Sequence, residues 1–231
     1  MRALRVGLIV AVLLGGALAG VDRIAVGYAE SEAADRIMLG DARAGSTEVD
    51  IKGFPFLTQV AGRSFDEVDV VVGGAQTQAG KKRVRLSELS LSLKDVTVDA
   101  DWRGARAGRV SGTALVSYAD LTAAAESNVA VAYGGDGKVK VTGTFKLPLI
   151  GRTMTRSVVS SVTLVDGKTV RVRADEVPGE GIPGLEELVR ARTDFDRSVG
   201  ALPPGMKLER IEAREDGVAI AVSGTNVALT G

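Results

Sequence analysis

The stretch Val84 to Ala100, VRLSELSLSLKDVTVDA, alternates apolar and polar residues over seventeen positions but does not hold one phase. Val84 and Leu86 share one parity, Leu89, Leu91 and Leu93 take the other, and Val96 and Val98 return to the first. Strand side chains point to opposite faces with a period of two, so a change of parity moves the apolar set to the other face unless the strand bulges or bends. A strand this long with two slips predicts a long, curved sheet.

Working outward, the neighbouring segments carry the same signal. Upstream, Val68, Val70 and Val72 alternate with Glu67, Asp69 and Val71, and Gly73-Gly74 closes the run. Downstream, strand patterns recur at Arg109 to Ser117, Asn128 to Tyr133, Lys138 to Leu147, Thr155 to Val165, Thr169 to Val177, Met206 to Arg214 and Val218 to Val222. Asp136-Gly137, Asp166-Gly167 and Asp216-Gly217 each stand between two such runs, the strongest short hairpin signal, so the neighbours are antiparallel. Tyr118 to Ser127 reads as a brief helix with Asp120 at a cap-like position.

Two longer helices complete the reading. Val21 to Leu39 places Ile24, Ala25, Tyr28 and Ala29 on one face, with Asp22, Arg23, Glu30 and Glu32 largely elsewhere, and Gly40 stops it. Ile182 to Val199 carries an apolar stripe of Leu185, Leu188, Val189, Phe195 and Val199 and ends before Gly200 and Pro203-Pro204-Gly205. The fold class is therefore α+β: a long curved antiparallel sheet wrapping amphipathic helices, with an apolar seam between them.

Ahead of the first strand run lies Gly53-Phe54-Pro55-Phe56-Leu57-Thr58-Gln59-Val60, which holds two of the five phenylalanines within three residues. Gly53 permits unusual backbone angles, and Pro55 fixes its own angle while pushing Phe54 toward extended geometry. Two readings stand side by side: a bend anchored in the core, or rings that line or close a site for an apolar ligand.

Composition narrows the chemistry. The 29 basic and 29 acidic residues cancel, so no overall field argues for nucleic acid or for adsorption to an anionic surface. There is no cysteine and no histidine, which removes thiolate chemistry, the commonest general base and the commonest metal ligand. At the N-terminus, Arg2 and Arg5 precede an uncharged run from Val6 to Val21, with Ala17-Leu18-Ala19 as a small-x-small cleavage pattern. This predicts export, with residues 1–19 either a cleaved signal peptide or a retained membrane anchor, and residues 20–231 a single domain.

Chemical motifs are few. Gly179 to Gly184 spells G-x-G-x-x-G between a strand and a helix, but the upstream strands pair through hairpins and not parallel crossovers, so a strand-to-helix turn is the better reading. Asp66/Asp69, Asp194/Asp196 and Glu186/Glu187 read as wet faces, as do Asp99 and Asp101, which two positions apart on a strand would share a face. Without histidine no conventional serine triad forms. Lys81, Lys82, Arg83 and Arg85 are the one basic cluster, either a solvated hairpin turn or a contact for an anionic lipid headgroup.

In its order of features the chain resembles the LmeA-like phospholipid-binding proteins of actinobacterial cell envelopes. The matching residues are Val21-Asp22-Arg23-Ile24-Ala25 after a membrane-type N-terminus, Gly53 to Gln59, the strand-rich middle, and Leu202-Pro203-Pro204-Gly205-Met206 before the last hairpin. The resemblance implies a tubular fold like that of bactericidal/permeability-increasing lipid-binding proteins, phospholipid held in an apolar cavity, and a supporting role in envelope lipid or lipoglycan metabolism. It carries over no catalytic residues.

Together these readings predict a non-enzymatic, exported phospholipid-binding protein of the periplasm or cell envelope, without metal or cofactor. Phe54, Phe56, Leu57 and Val60 are the candidates to line or gate the site, with Leu89, Leu91, Leu93, Leu188 and Phe195 as its walls. Lys81, Lys82, Arg83 and Arg85 are the weaker headgroup candidates. Its partners are phospholipid and a membrane surface, with no nucleic acid and an envelope protein partner left open. The alternative is a structural or adaptor protein with a packed core and a protein partner.

Overall fold

The computed structural model describes residues 2–36, 45–79, 82–125, 128–146, 153–177, 185–199 and 202–230, with the side chains of the first helix given from Gly16 on. In chain order the elements are α1 (Arg2–Arg36), β1 (Ser46–Lys52), α2 (Phe56–Gly62), β2 (Ser64–Gly73), β3 (Gln76–Ala79), β4 (Lys82–Arg85), β5 (Glu88–Val98) and β6 (Gly104–Val116). There follow α3 (Tyr118–Ala124), β7 (Val129–Gly135), β8 (Lys138–Lys146), β9 (Thr153–Val165), β10 (Thr169–Ala174), α4 (Leu185–Thr193), β11 (Phe195–Ser198), β12 (Met206–Arg214) and β13 (Gly217–Thr230). The fold is α+β, built on curved open antiparallel sheets. One sheet runs β1-β2-β5-β6-β13-β12, a second β11-β10-β9-β8-β7, and β3-β4 is a small hairpin.

The inner face of the six-stranded sheet is a set of apolar rungs. One reads Ile51, Val68, Leu93, Val110, Gly224, Met206, the next Val49, Val70, Leu91, Gly112, Val222, Leu208, and a third Val72, Leu89, Ala114, Ile220, Ile211. The opposite face is polar, as in the rung Asp69, Ser92, Ser111, Ser223, Lys207. Alternation with period two thus becomes one dry and one wet face.

The slip between Leu93 and Val96 is a fold line that crosses four strands. Inward residues on β2 step from Val68 to Phe65, on β6 from Val110 to Ala107, and on β13 from Gly224 to Val227, three positions each, while pairing resumes with an unchanged offset on both sides. No strand gains a residue on its neighbour there, so the device is a shared crease and not a bulge. Asp95 (φ 54°) and Asn226 (φ 51°) take the left-handed backbone that turns their strands, and both are residue types that tolerate it. Beyond the crease the rung Phe65, Val96, Ala107, Val227 is fully buried.

The earlier slip has another cause. Val84 to Ala100 is not one strand: β4 ends at Arg85, and β5 begins at Glu88 after Leu86-Ser87, whose amides bond to Ala75 and Leu115 carbonyls. Asp99 and Asp101 lie in the turn after β5 and not on a strand face. β13 runs to Thr230, well past the expected Val222, because β6 gives it a partner along its length.

The three Asp-Gly turns fall where expected, between β7 and β8, β9 and β10, and β12 and β13. In the first two, both residues have positive φ, the backbone such tight hairpins demand. The short helix α3 is capped by Ser117, whose Oγ accepts the Asp120 N–H at 3.1 Å and donates to the Asp120 carboxylate at 2.7 Å, so Asp120 is the return half of the cap and not the cap itself.

The expected helix Ile182 to Val199 divides in two. α4 stops at Thr193, where the Asp194 carboxylate accepts the Ala174 N–H at 2.8 Å, and Phe195 to Ser198 then pair with β10. Phe195 and Val172 become cross-strand partners, and Asp196 pairs with Arg171 and Arg173 on the wet side. An apolar residue every second or every fourth position fits both periods, and the open edge of β10 decides the outcome.

The second sheet packs α4, α3 and the ends of β12 and β13 around Val139, Val141, Val158, Val172 and Val189. The sheets meet along β12, whose Leu208 amide bonds to the Gly167 carbonyl at 3.1 Å.

Gly112 shows how tightly the rungs are drawn. A Cβ there would stand 2.3 Å from the Ser90 carbonyl oxygen and 2.6 Å from Leu91 Cδ2, so Leu91 lies across the glycine. Gly112→Ala should therefore lower the unfolding free energy by about 1–3 kcal/mol, as an overpacked position does, read as a reduced urea midpoint with unchanged slope.

Candidate functional site

Where α1 meets the start of the sheet, Asp22 is 2 % exposed. Its carboxylate accepts the Leu57 N–H at 2.8 Å and the Phe56 N–H, the first free amides of α2. Pro55 precedes α2 and offers no side-chain cap, so an acid from another helix fills that role. Arg23 donates to the Asp22 carboxylate at 3.0 Å and to the Gly53 carbonyl at 3.2 Å, and its guanidinium lies 5.4 Å from the centre of the Phe54 ring. Gln59 donates to the Lys52 carbonyl at 3.1 Å and accepts the Asp66 N–H at 3.0 Å, tying the end of β1 to the start of β2. Thr58 Oγ1 bonds the Pro55 carbonyl at 2.8 Å, and the Phe54–Pro55 peptide is cis.

The stretch Gly53 to Gln59 is thus a junction. The bend expected there is a cis peptide followed by a short helix. Phe56 is the buried ring, 4 % exposed and tilted against Phe65 with centroids 6.2 Å apart. Phe54 is 64 % exposed, Leu57 is exposed, and Val60 is half-buried against the core.

α1 differs from its sequence reading in length and in face. It is one helix from Arg2, continuous through the apolar run, and residues 37–44, including Leu39 and Gly40, lie outside the described residues. The face packed on the sheet holds Asp22, Val26, Ala25, Ala29, Ala33 and Ala34, and Ile24 and Tyr28 of the expected stripe are 76 % and 75 % exposed. Glu30 adds a tether by accepting the Ile51 N–H on the open edge of β1 at 2.8 Å, which covers an otherwise free strand edge. The signal for Asp22 was an acid in register with Val26, Ala29 and Ala33, a phase in which an unpaired charge does not survive burial.

The wall candidates separate. Leu93 is buried in the core of the six-stranded sheet, while Leu89 and Leu91 are half-buried on the same face, beside Leu86, Val68, Ile51 and Met206. Phe195 packs against the second sheet's core, a different cluster from Leu89 and Leu91. The side chain of Leu188 lies outside the described residues, as do Lys81, the side chains of Lys82 and Arg83, and the whole of Gly179 to Gly184. Arg85, at the end of β4, is exposed and reaches over Gly74.

Among the described residues no three of His, Cys, Asp and Glu gather as a metal site would require. Also among them, no helix is long and apolar enough to cross a membrane. Tyr118 is the one hydroxyl with a large displacement: burial, with charge on Tyr133 and Asp216, pushes it up to about 12, and it donates to the Arg214 carbonyl at 2.6 Å as a structural tie. The candidate for recognition is the half-covered part of the inner apolar face, around Leu86, Leu89, Leu91 and Gly112. Sequence reasoning missed Leu86 and Gly112 as part of it, because Leu86 sits in a strand break and glycine carries no hydrophobic signal.

Compared with known proteins, the family model of LmeA-like phospholipid-binding proteins matches residues 20–223 of the chain. No curated protein and no solved structure matches it.

The junction makes a pH prediction. Burial disfavours the Asp22 charge, but the Leu57 and Phe56 amides and then the Arg23 guanidinium outweigh it and hold the carboxyl below its ordinary 3.8. A carboxyl depressed in the folded state stabilises above its unfolded value and loses that contribution as pH falls through the folded value. Asp22→Asn should therefore unfold at lower urea than the parent at neutral pH, with the gap closing below pH 3.8. Phe56→Ala, which empties a core position, should cost about 3–5 kcal/mol at any pH in the same titration.

Proposed function

Because the chain belongs to the LmeA-like phospholipid-binding family, we propose that it is a non-enzymatic, exported phospholipid-binding protein that holds acyl chains against the inner face of the six-stranded sheet. The observation that carries this reading is the uneven cover on the third rung. Val72 and Ala114 are buried, while Leu89 is only half-buried although it points to the dry side, and Ile220 and Ile211 are half-buried against the second sheet's core. Leu91 beside them lies over Gly112 with the same partial cover.

An apolar wall of this kind gains from every methylene laid on it. Each buried CH2 is worth about 0.8 kcal/mol, so a chain of moderate length binds without any charged anchor. The wall carries no ionisable side chain on these rungs, which suits an acyl chain and gives a reacting group nothing to use. In this reading Leu86, Leu89 and Leu91 touch lipid, Leu93 belongs to the supporting core, and the Gly53–Gln59 junction holds α1 in position. Arg85 is the described member of the basic cluster and the headgroup contact. Export through the N-terminal run would place the domain at the cell envelope, where a carrier of this kind supports lipid or lipoglycan metabolism.

The test is lipid extraction and mass spectrometry on protein purified from its native host. The parent should carry phospholipid, and Leu89→Glu and Leu91→Glu should carry much less while Ser111→Glu, on the wet face, keeps it. Parent protein without lipid, or equal loss in all three variants, would sink the reading, and lipid-free protein with a bound envelope protein would favour the adaptor alternative.

A further inference from the structure

α1 is apolar on the side that it turns away from the sheet as well as on the side that it packs. Val21, Ile24 and Tyr28 are exposed at 55 %, 76 % and 75 %, and their 3-4 spacing sets them on one side of the helix, whereas Leu18, 67 % exposed, lies in line with Asp22, Ala25 and Ala29. A Cβ built on Gly20 or Gly27, on that same side, meets nothing within 4 Å. Between Leu18 and Tyr28 the charged residues are Asp22 and Arg23, and both are engaged at the α2 junction. A helix facing water carries polar residues on its outer side, and one that is apolar all round is surrounded by apolar material.

Continuity of the helix identifies that material. The uncharged run from Val6 to Val21 and the exposed stripe share one unbroken helix, so what accepts the run also reaches the stripe. The charges are ordered to match: Arg2 and Arg5 stand before the run, and the acids Glu30, Glu32 and Asp35 come only beyond Tyr28. An anionic lipid surface attracts the first end and repels the second. Tyr28, an apolar ring with a polar tip, ends the stripe about 10 Å along the helix from Val21, as residues at a membrane boundary do.

We propose that the outward side of α1 from Val21 to Tyr28 docks on the surface of a phospholipid bilayer. The inference stands apart from the lipid cargo, since the docking side is opposite to the face of α1 that packs on the sheet.

The chain lacks cysteine, so single labels can be placed without background. Ile24→Cys, Tyr28→Cys and, on the wet face, Ser111→Cys are introduced into the full chain and coupled to an environment-sensitive fluorophore. Each is mixed with vesicles of phosphatidylcholine and phosphatidylglycerol. Emission at positions 24 and 28 should shift to the blue, resist iodide and be quenched by a lipid-borne quencher, while position 111 stays open to iodide. Iodide quenching at 24 and 28 equal to that at 111 overturns the proposal. So does protection from both quenchers, which would mark a protein partner or a second copy. All three positions are exposed, and a circular dichroism spectrum matching the parent's confirms that each labelled chain is folded. Failure here leaves the cargo reading intact, because the extraction experiment does not depend on these positions.

Discussion

The Asp22 carboxylate, closed over by protein and shared between two helices, is the interaction on which the rest of the molecule depends. It caps α2, whose own N-terminal neighbour is a proline without a capping side chain. Because the acid sits on α1, the cap also fixes the long helix against the sheet. Arg23, Gly53 and Phe54 form a second layer around it, and Gln59 carries the constraint into the first two strands. A buried carboxylate is tolerated only where amides and a cation satisfy it, so the residues around it cannot vary independently. This is the physical content of two of the blocks that carry the resemblance: Val21 to Ala25 and Gly53 to Gln59 are the two sides of one contact.

The second constraint is the crease. A flat six-stranded sheet with apolar rungs along its whole inner face would need a flat partner of the same area, and the chain supplies only one long helix and a smaller sheet. Bending all the strands at one level avoids that. Asp95 and Asn226 turn the backbone on alternate strands, and between them Gly108 lies so close beneath Asp95 that a Cβ there would stand 3.0 Å from the Asp95 Cβ. Phe65, Val96, Ala107 and Val227 then share one buried cluster with Phe56 below the fold line, while above it Val72, Val110 and Leu208 are buried and Leu89 and Leu91 half-buried.

Much of this was legible in the residues, and the failures share a cause. The hairpins at Asp136, Asp166 and Asp216 were readable because a tight turn depends on two adjacent residues alone. The slip at Leu93 was readable as a bend because parity is local to one strand. Its nature as a crease was not, since that requires knowing that Phe65, Ala107 and Val227 step together on three other strands. Phe195 was assigned to a helix because its spacing fits both periods and only the exposed edge of β10 separates them. The face of α1 was read half right for a different reason: Ala25 and Ala29 pack as expected, but counting large apolar residues adds Ile24 and Tyr28, whereas close packing on a sheet edge adds Val26 and Ala33. For the site, Leu89 and Leu91 were visible in the pattern, and Gly112, which decides how Leu91 lies, was not.

The two apolar surfaces of the molecule raise a question of selectivity. Leu89 and Leu91 bring no charge to the inner face, so in the proposed reading binding there would grow with the length of chain buried and say little about the headgroup. Discrimination between ligands needs a polar group that is left unpaired by the wrong one. The rungs have none, so in that reading selection by headgroup would come from Arg85 and from which lipids the protein meets. The outward side of α1 bears on the second of these. If a helix face sets the domain on a membrane, an undiscriminating wall still handles a defined set of lipids, because supply is restricted by position and not by recognition. A polar anchor in the seam would then gain little selectivity and would carry the cost of desolvation, which is consistent with rungs built from leucine, valine, isoleucine, methionine, alanine and glycine alone.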